Sequence, residues 1–231
     1  IRSALSRLGI LPERLQVIPD YLGNLAAGLD GADGLLSVNG TGSVIFGRAG
    51  IRDGRRGGWG GLLDETPSGA WFGRLVGRAV LTAWEGNRET QHVADLYAEQ
   101  FPDKPQERAS FLNTLYSSDS WQTTLGHLAP VFAEAVRRES AWARECLTHS
   151  LRQWARDMGS LAGELGLSHP VVYTGVGGLW RAWPEFASLA QRALESQYPG
   201  VLLWKDPVLP LELGPARHFL TTLPAIKAEK A

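Results

Sequence analysis

The pattern of apolar and polar residues predicts strands in two groups. Near the start of the chain, short runs at Leu35–Val38, Ser43–Arg48 and Ile51–Arg55 are separated by glycines, as in an antiparallel meander. Further short strands are predicted at Leu15–Ile18, Val171–Thr174 and Val201–Trp204. The chain between Arg55 and Val171 contains no comparable strand pattern and is predicted to be helical.

Helices are predicted where apolar residues recur every three or four positions. The predicted helices are Ser3–Leu8, Tyr21–Leu29, Ser68–Trp84, Asn87–Phe101, Trp121–Arg138, Ala141–Gly166, Pro184–Gln197 and Gly214–Leu223. The longest carries a regular core stripe of Leu147, Leu151, Trp154, Met158, Leu161 and Leu165. Pro102–Pro105 ends one helix, and Tyr116–Ser120 is predicted to be a polar loop.

The order of these elements predicts an α/β fold. Three strands come first, then helices, and then strand, helix, strand and helix. This order is expected of a ribonuclease-H-like lobe with a mixed sheet and a helical insertion at about residues 86–168. We therefore expect one large α/β lobe in this part of the chain.

Composition narrows the classes of partner. The formal net charge of −1 argues against nucleic acid or a membrane surface as a partner, and no apolar run approaches 18 residues. The basic run Arg48, Arg52, Arg55 and Arg56 fits a solvated hairpin edge better than a phosphate site. A single cysteine, Cys146, excludes an internal disulfide framework and favours a cytoplasmic location. The five histidines show no metal-ligand spacing, so no protein metal site is predicted.

Two glycine-rich loops contain the candidate residues for an anion-binding site. Gly40–Ser43 lies at the tip of a predicted hairpin, where glycines let backbone N–H groups approach an anion and the hydroxyls add donors. The same four residues also suit an ordinary hairpin turn. A hairpin does not need the second loop, Gly57–Gly61, or the paired Asp64 and Glu65 that follow it. The second loop therefore favours a phosphate site.

Five separated segments together resemble the BadF/BadG/BcrA/BcrD-type ATPases, which include N-acetylglucosamine kinases and belong to the actin/hexokinase/Hsp70 superfamily. The segments are Val17–Asp20, Gly40–Ser43, Gly57–Gly60, Ser68–Trp71 and, more weakly, Val171–Gly178, with a further trace at Glu212–Ala216. The resemblance runs from about Leu15 to Gly73 before it resumes. The order and spacing of the segments make it more specific than any one of them.

The resemblance implies roles for particular residues. Asp20 matches the acidic residue that takes the proton of the acceptor hydroxyl, although it also suits a helix N-cap. The implied phosphate and nucleotide contacts are Gly40, Thr41, Gly42, Ser43, Gly175, Gly177 and Gly178. The implied sugar contacts are Thr41, Gly58, Trp59, Asp64, Glu65 and Ser68.

The segment Asp64–Gly69 departs from the family pattern of Gly-Asp-Glu-Gly-Ser-Gly. Aligned without a gap, Glu65 takes the Asp position, Thr66 the Glu position and Pro67 a Gly position. A one-residue slip keeps Asp64 and Glu65 at the family's Asp and Glu positions but needs a compensating insertion. Pro67 restricts Thr66 to extended conformations and removes one N–H donor. Sugar recognition is therefore less firmly implied than phosphate recognition, and Asp64 and Glu65 as exposed loop carboxylates stay an open alternative.

Family members have two similar lobes, and the first opens with an acidic loop rich in glycine and threonine. No such segment occurs before Leu15, and the chain begins with Ile1. We expect residues 1–30 to be the end of the first lobe and residues 31–231 to be the second, so that the start of the first lobe is absent.

The leading functional prediction is ATP-dependent phosphoryl transfer to N-acetylglucosamine or a related amino sugar. ATP, Mg²⁺ and the sugar are the implied ligands, and a homodimer is the implied assembly. A regulator that binds nucleotide or sugar without turnover is the main alternative. An ATPase activator of a radical dehydratase is disfavoured, since it needs two cysteines per chain for a shared iron–sulfur cluster and Cys146 stands alone.

Overall fold

The computed structural model describes residues 20–208 and 213–222, which fall into two compact units. The smaller unit contains residues 20–32, 208 and 213–222, and the larger is Asp33–Pro207. In the smaller unit, helix α1 (Asp20–Leu29) packs against the last helix, α10 (Gly214–Thr222). The two helices meet at glycines, because a Cβ atom on Gly214 would lie 2.1 Å from the carbonyl oxygen of Gly23.

The larger unit is built on a mixed five-stranded sheet. Its strands are β1 (Gly34–Asn39), β2 (Ser43–Ala49), β3 (Arg52–Gly57), β4 (Val171–Val176) and β5 (Leu202–Trp204). They lie in the order β3-β2-β1-β4-β5, with the first three antiparallel and β4 and β5 parallel to β1. The predicted α/β class, mixed sheet and meander are confirmed.

Helices cover and extend this sheet. They are α2 (Gly69–Trp84), α3 (Gln91–Gln100), α4 (Arg108–Tyr116), α5 (Trp121–Gly126), α6 (Ala129–Arg137), α7 (Ala141–Leu165), α8 (Gly178–Ala182) and α9 (Phe186–Gln197). A 3₁₀ turn at Arg88–Thr90 precedes α3. Among the residues described, no helix is both long enough and apolar enough to cross a membrane.

Helix α7 forms the centre of the core. The hydroxyl of Ser140 caps its start by accepting from the amide of Ala143, and Gly166 ends it in the left-handed conformation with φ of 65°. The predicted stripe of Leu147, Leu151, Trp154, Met158, Leu161 and Leu165 is buried along its length. The helix lies in the predicted insertion and packs on β1, β2 and β3, whereas α3 and α6 pack on α2.

The sequence-based prediction of one helix over Trp121–Arg138 is wrong. The segment forms α5 and α6, separated by His127 and Leu128. Pro130 stands in the first turn of α6, where its missing N–H and its ring would disrupt a continuous helix. Helices α4 and α8 were not predicted, since α4 has little amphipathic pattern and α8 has five residues. The predicted helix Ser3–Leu8 and strand Leu15–Ile18 lie outside the described residues.

Candidate functional site

The carboxyl ends of β1 and β4 meet at one edge of the sheet. The two strands run parallel, with Ser37 beside Gly175 and Val38 beside Val176. The turn that follows β1 therefore lies next to the residue that follows β4, which is where open α/β sheets bind ligands. Gly177 has φ of 109°, and a Cβ atom there would be 2.6 Å from the carbonyl oxygen of Asn39.

The turn Gly40–Ser43 is tied to the start of helix α2. The amide of Gly69 donates to the carbonyl of Gly40 at 2.7 Å, and the amide of Ala70 donates to that of Thr41 at 3.0 Å. The Ser68 hydroxyl caps the helix by accepting from the amide of Trp71 at 3.1 Å. The positive end of a 16-residue helix thus lies behind the turn, which favours an anion near it.

A cavity of about 750 Å³ opens where the turn, β4 and the helices meet. Gly40, Thr41, Gly69, Gly177 and Gly178 line it, together with Gln100, Thr123, Gly126, His127, Ala129, Pro130, Ala133, Glu134, Arg137, Leu179, Arg181, Ala182 and Trp183. This volume is within the range of pockets that hold small-molecule ligands and cofactors. The lining of the cavity thus combines exposed glycine backbone with apolar side chains and a few charged side chains.

Two of the charged side chains at the cavity are paired with other residues, whereas that of Arg181 is not paired within the described residues. Glu134 pairs with Arg137 and accepts from Arg138 at 2.8 Å, and the hydrogen bond from Arg138 is the main cause that lowers the pKa of Glu134. Arg137 also lies 3.2 Å from Glu185. The side chain of Arg181 has no hydrogen bond or ion pair within the described part of the chain, so its guanidinium is available to an anion at the cavity.

The predicted nucleotide residues divide into two groups. Gly40, Thr41, Gly177 and Gly178 line the cavity. Gly175 does not, because it lies inside β4 with the indole of Trp180 against it, 2.2 Å from where a Cβ would stand. Gly42 is exposed at the turn, whereas Ser43 is 3% exposed and its hydroxyl accepts from the side-chain amide of Asn39 at 3.1 Å.

Asp64 is buried and organises the second glycine-rich loop. Its carboxylate, on a residue only 3% exposed, accepts from the amides of Trp59 at 2.9 Å and Gly60 at 3.1 Å. Burial raises the pKa of Asp64, and the hydrogen bonds from the backbone oppose that rise. The alternative that Asp64 is an exposed loop carboxylate is therefore wrong. The loop holds Trp59 outward, with 66% of the residue exposed.

The rest of the predicted sugar set lies around this loop. Gly58 is exposed, and Ser68 is buried as the cap of α2. Glu65 is exposed and its carboxylate lies 3.5 Å from His149. Thr66 is 5% exposed, and its hydroxyl has no hydrogen-bond partner among the residues described. Of the predicted sugar residues, only Thr41 also lines the cavity.

Asp20 is the first residue of helix α1, and its side chain lies outside what the structure describes. Its roles as general base and as N-cap both stay predictions. No group of three or more His, Cys, Asp or Glu residues that could hold a metal occurs within residues 20–208 and 213–222. The described residues therefore do not form a metal-binding cluster, and no protein ligand for Mg²⁺ is assigned.

Sequence reasoning missed several cavity residues. Thr123, Arg137 and the pair Arg181 and Trp183 come from three different segments that meet only in the folded chain. Arg181 had the clearest signal, because it stands one helical turn after Gly178. Asn39 had a signal too, since it directly precedes the Gly40–Ser43 turn, but its partners lie 28 and 141 residues away in sequence.

Comparison with solved structures finds chains of similar fold. The chain is similar to a proposed N-acetylglucosamine kinase of Chromobacterium violaceum, with a TM-score of 0.63 and 19% identity over 94% of this chain and 70% of that one. It is also similar to a proposed N-acetylglucosamine kinase of Porphyromonas gingivalis, with a TM-score of 0.61 and 16% identity over 87% of this chain and 65% of that one. No protein-family model and no curated protein sequence matches the chain.

Proposed function

We propose that this chain belongs to an ATP-dependent sugar kinase that phosphorylates N-acetylglucosamine or a related amino sugar. The observation that carries the proposal is the cavity where Gly40 and Thr41 meet Gly177 and Gly178. Two segments separated by more than 130 residues, each implied by the family resemblance to hold nucleotide, line one space. The likeness to solved structures named for this activity supports the same substrate class.

Different regions of the cavity suit the adenosine and the phosphate groups of ATP. Bare backbone at Gly177 and Gly178 allows a flat adenosine group to approach closely. Thr41 lines the cavity, and the positive end of α2 lies behind the turn, where phosphates would lie. Arg181 adds a guanidinium that has no partner among the described residues. This arrangement orients ATP and offsets phosphate charge, which are the main demands that phosphoryl transfer makes on a protein.

The acceptor hydroxyl needs a base and a positioned sugar. Asp20 is the proposed base, taking the hydroxyl proton as the new P–O bond forms and the bond to ADP breaks. Trp59, held outward by Asp64, is the proposed platform for the sugar ring, with Gly58, Glu65 and Ser68 as further contacts. Mg²⁺ would enter as the counter-ion of ATP, and no step is assigned to it. The cytoplasm is the setting that such substrates imply.

The direct test is release of ADP when the protein is given ATP with N-acetylglucosamine, glucosamine or glucose. We expect sugar-dependent release that is strongest for N-acetylglucosamine. Asp20→Asn should abolish release while leaving ATP affinity nearly unchanged. No sugar-dependent release of ADP would contradict the proposal, and retained turnover in the variant would remove Asp20 from the mechanism.

A non-catalytic binding regulator is the second candidate. The altered segment Asp64–Pro67 favours it, because the Asp64 carboxylate is occupied by two backbone amides and the carbonyl of Pro67 by Asn39. A regulator would bind ATP or sugar without releasing ADP. An iron–sulfur activator gains no support from Cys146, which lies half-buried on α7 where burial raises the pKa of its thiol.

A further inference from the structure

One buried side chain joins the Gly40–Ser43 turn (the phosphate turn), the Pro67–Gly69 segment and the Gly177–Trp180 segment. Asn39 is fully buried at the end of β1. Its amide nitrogen donates to the Ser43 hydroxyl at 3.1 Å and to the carbonyl of Pro67 at 2.7 Å. Its amide oxygen accepts from the Ser37 hydroxyl at 2.6 Å and from the indole N–H of Trp180 at 2.8 Å.

The partners fix the chemistry that this position requires. The indole of Trp180 can only donate, and the carbonyl of Pro67 can only accept, so the side chain between them must offer both functions. An amide does so with two separate atoms. A carboxylate would lack the donor, and an apolar side chain would leave the indole, the carbonyl and a hydroxyl buried without partners, which is costly.

The network is anchored in the core behind the site. Ser37, also fully buried, accepts from the indole N–H of Trp154 at 2.8 Å, and Trp154 stands in the middle of α7. Ser37 thus ties β1 to the long helix, while the backbone of Asn39 is held by its own pairing with Ser43 in the sheet. From this fixed point its amide reaches the turn at Ser43, the start of α2 through Pro67, and the start of α8 through Trp180.

We propose that Asn39 is a positioning residue that sets the phosphate turn, the Pro67–Gly69 segment and the Gly177–Trp180 segment in register with one another for the phosphoryl transfer proposed above, and the inference rests on that function. Asn39 acts through these segments, since it does not itself line the cavity. Its amide oxygen accepts from Trp180, on the side where the nucleotide is proposed to bind. Its amide nitrogen donates to the carbonyl of Pro67, which follows the predicted sugar contacts Asp64 and Glu65 in the chain.

Hydrogen exchange followed by mass spectrometry tests the positional role without reference to activity. The test variant is Asn39→Ala and the matched control is Ser37→Ala, because both delete a fully buried polar group of the same network but Ser37 contacts none of the three segments. We expect Asn39→Ala to speed amide exchange in peptides covering residues 40–43, 67–70 and 177–180. Ser37→Ala should leave these peptides protected at an equal loss of melting temperature.

Kinetics separate positioning from a general loss of stability. Trp180→Phe removes the indole donor on the nucleotide side, together with part of the ring that stacks on Trp204. It should raise KM for ATP, by about tenfold, with little change in KM for the sugar. Asn39→Ala should raise both KM values and lower kcat. Ser37→Ala should retain parental values at temperatures well below its melting point.

Each result decides the inference. Faster exchange in all three segments of Asn39→Ala but not of Ser37→Ala supports it, even if the parent protein turns over no sugar and the kinase proposal fails. Equal exchange in the two variants, or unchanged exchange in Asn39→Ala, overturns it. In an active parent, equal KM changes for ATP and sugar in Trp180→Phe would also contradict the two-sided role of the amide.

Discussion

Gly177 packs on Asn39 so closely that a Cβ atom on Gly177 would lie 2.6 Å from the carbonyl oxygen of Asn39 and 3.0 Å from the amide nitrogen of Gly40. Both obstacles are backbone atoms, which cannot turn aside as a side chain can. The close approach brings the end of β4 against the turn after β1 and so forms one wall of the cavity. Gly177 also has φ of 109°, a conformation that side chains other than glycine rarely adopt.

Gly177→Ala should therefore destabilise the fold. We expect a loss of about 2–4 kcal/mol in the free energy of unfolding, from the clash and the strained φ together. Gly178→Ala is the matched control, because a Cβ atom there meets nothing within 4 Å. Urea unfolding of both variants gives the comparison. A loss below about 1 kcal/mol in Gly177→Ala would show that the two segments are not held together this tightly.

Thr41 presents its side chain at the cavity without supporting the fold. It is exposed, and its carbonyl, not its hydroxyl, bonds to the amide of Ala70. Thr41→Ala should weaken ATP binding by about 1–2 kcal/mol through loss of a hydrogen bond to charge, with melting temperature unchanged. Isothermal titration calorimetry measures the affinity. Unchanged affinity would leave the Gly40–Ser43 turn as an ordinary hairpin turn.

The buried carboxyl of Asp64 makes stability depend on pH. Burial raises its folded-state pKa above the ordinary 3.8, so between these two pKa values the folded protein holds more protons than the unfolded chain. The contribution of Asp64 to the free energy of unfolding is then greatest below pH 3.8. It falls as the pH rises through the folded-state pKa of Asp64.

Asp64→Asn removes this titration and keeps an oxygen that can accept from the amide of Trp59 or Gly60. We expect the stability of the wild type relative to the variant to fall as the pH rises from 3.8 through the folded-state pKa of Asp64. Burial is the main cause that raises the pKa of Asp157, and it acts in both proteins; the smaller rise due to the charge of Asp64 is lost in the variant and stays in the difference. A difference that grows with pH would mean that the backbone amides outweigh burial and hold Asp64 ionised.

The sequence predicted what depends on local pattern. The three-stranded meander follows from short apolar runs between glycines, and the stripe from Leu147 to Leu165 defines α7, since both signals are complete within one segment. The break between α5 and α6 was visible as Pro130 but was outweighed by the apolar spacing on either side. Helix α4 has no clear apolar face, so its formation depends on the packing of Phe111.

Of the candidate site, the sequence allowed prediction of the glycine backbone positions but not of the side chains that meet there. Gly40 and Gly177 stand out in the sequence because glycine patterns are local, whereas Gly175 lies within β4 beneath Trp180 and does not line the cavity. Arg181, Trp183 and the contacts of Asn39 depend on which segments meet in space. Burial of Asp64 likewise follows from the path of the Gly57–Gly61 loop, and a sequence shows only that a carboxylate is nearby.

The most direct test of the account is the ATP affinity of Gly178→Leu. Gly178 lines the cavity with open space where its side chain would project, so leucine can fill the proposed nucleotide site without displacing backbone. We predict that calorimetry shows ATP binding to the parent and a loss of at least about tenfold in the variant, with the melting temperature retained. Full ATP affinity in the folded variant would contradict the central claim, because the nucleotide would then bind somewhere other than this cavity.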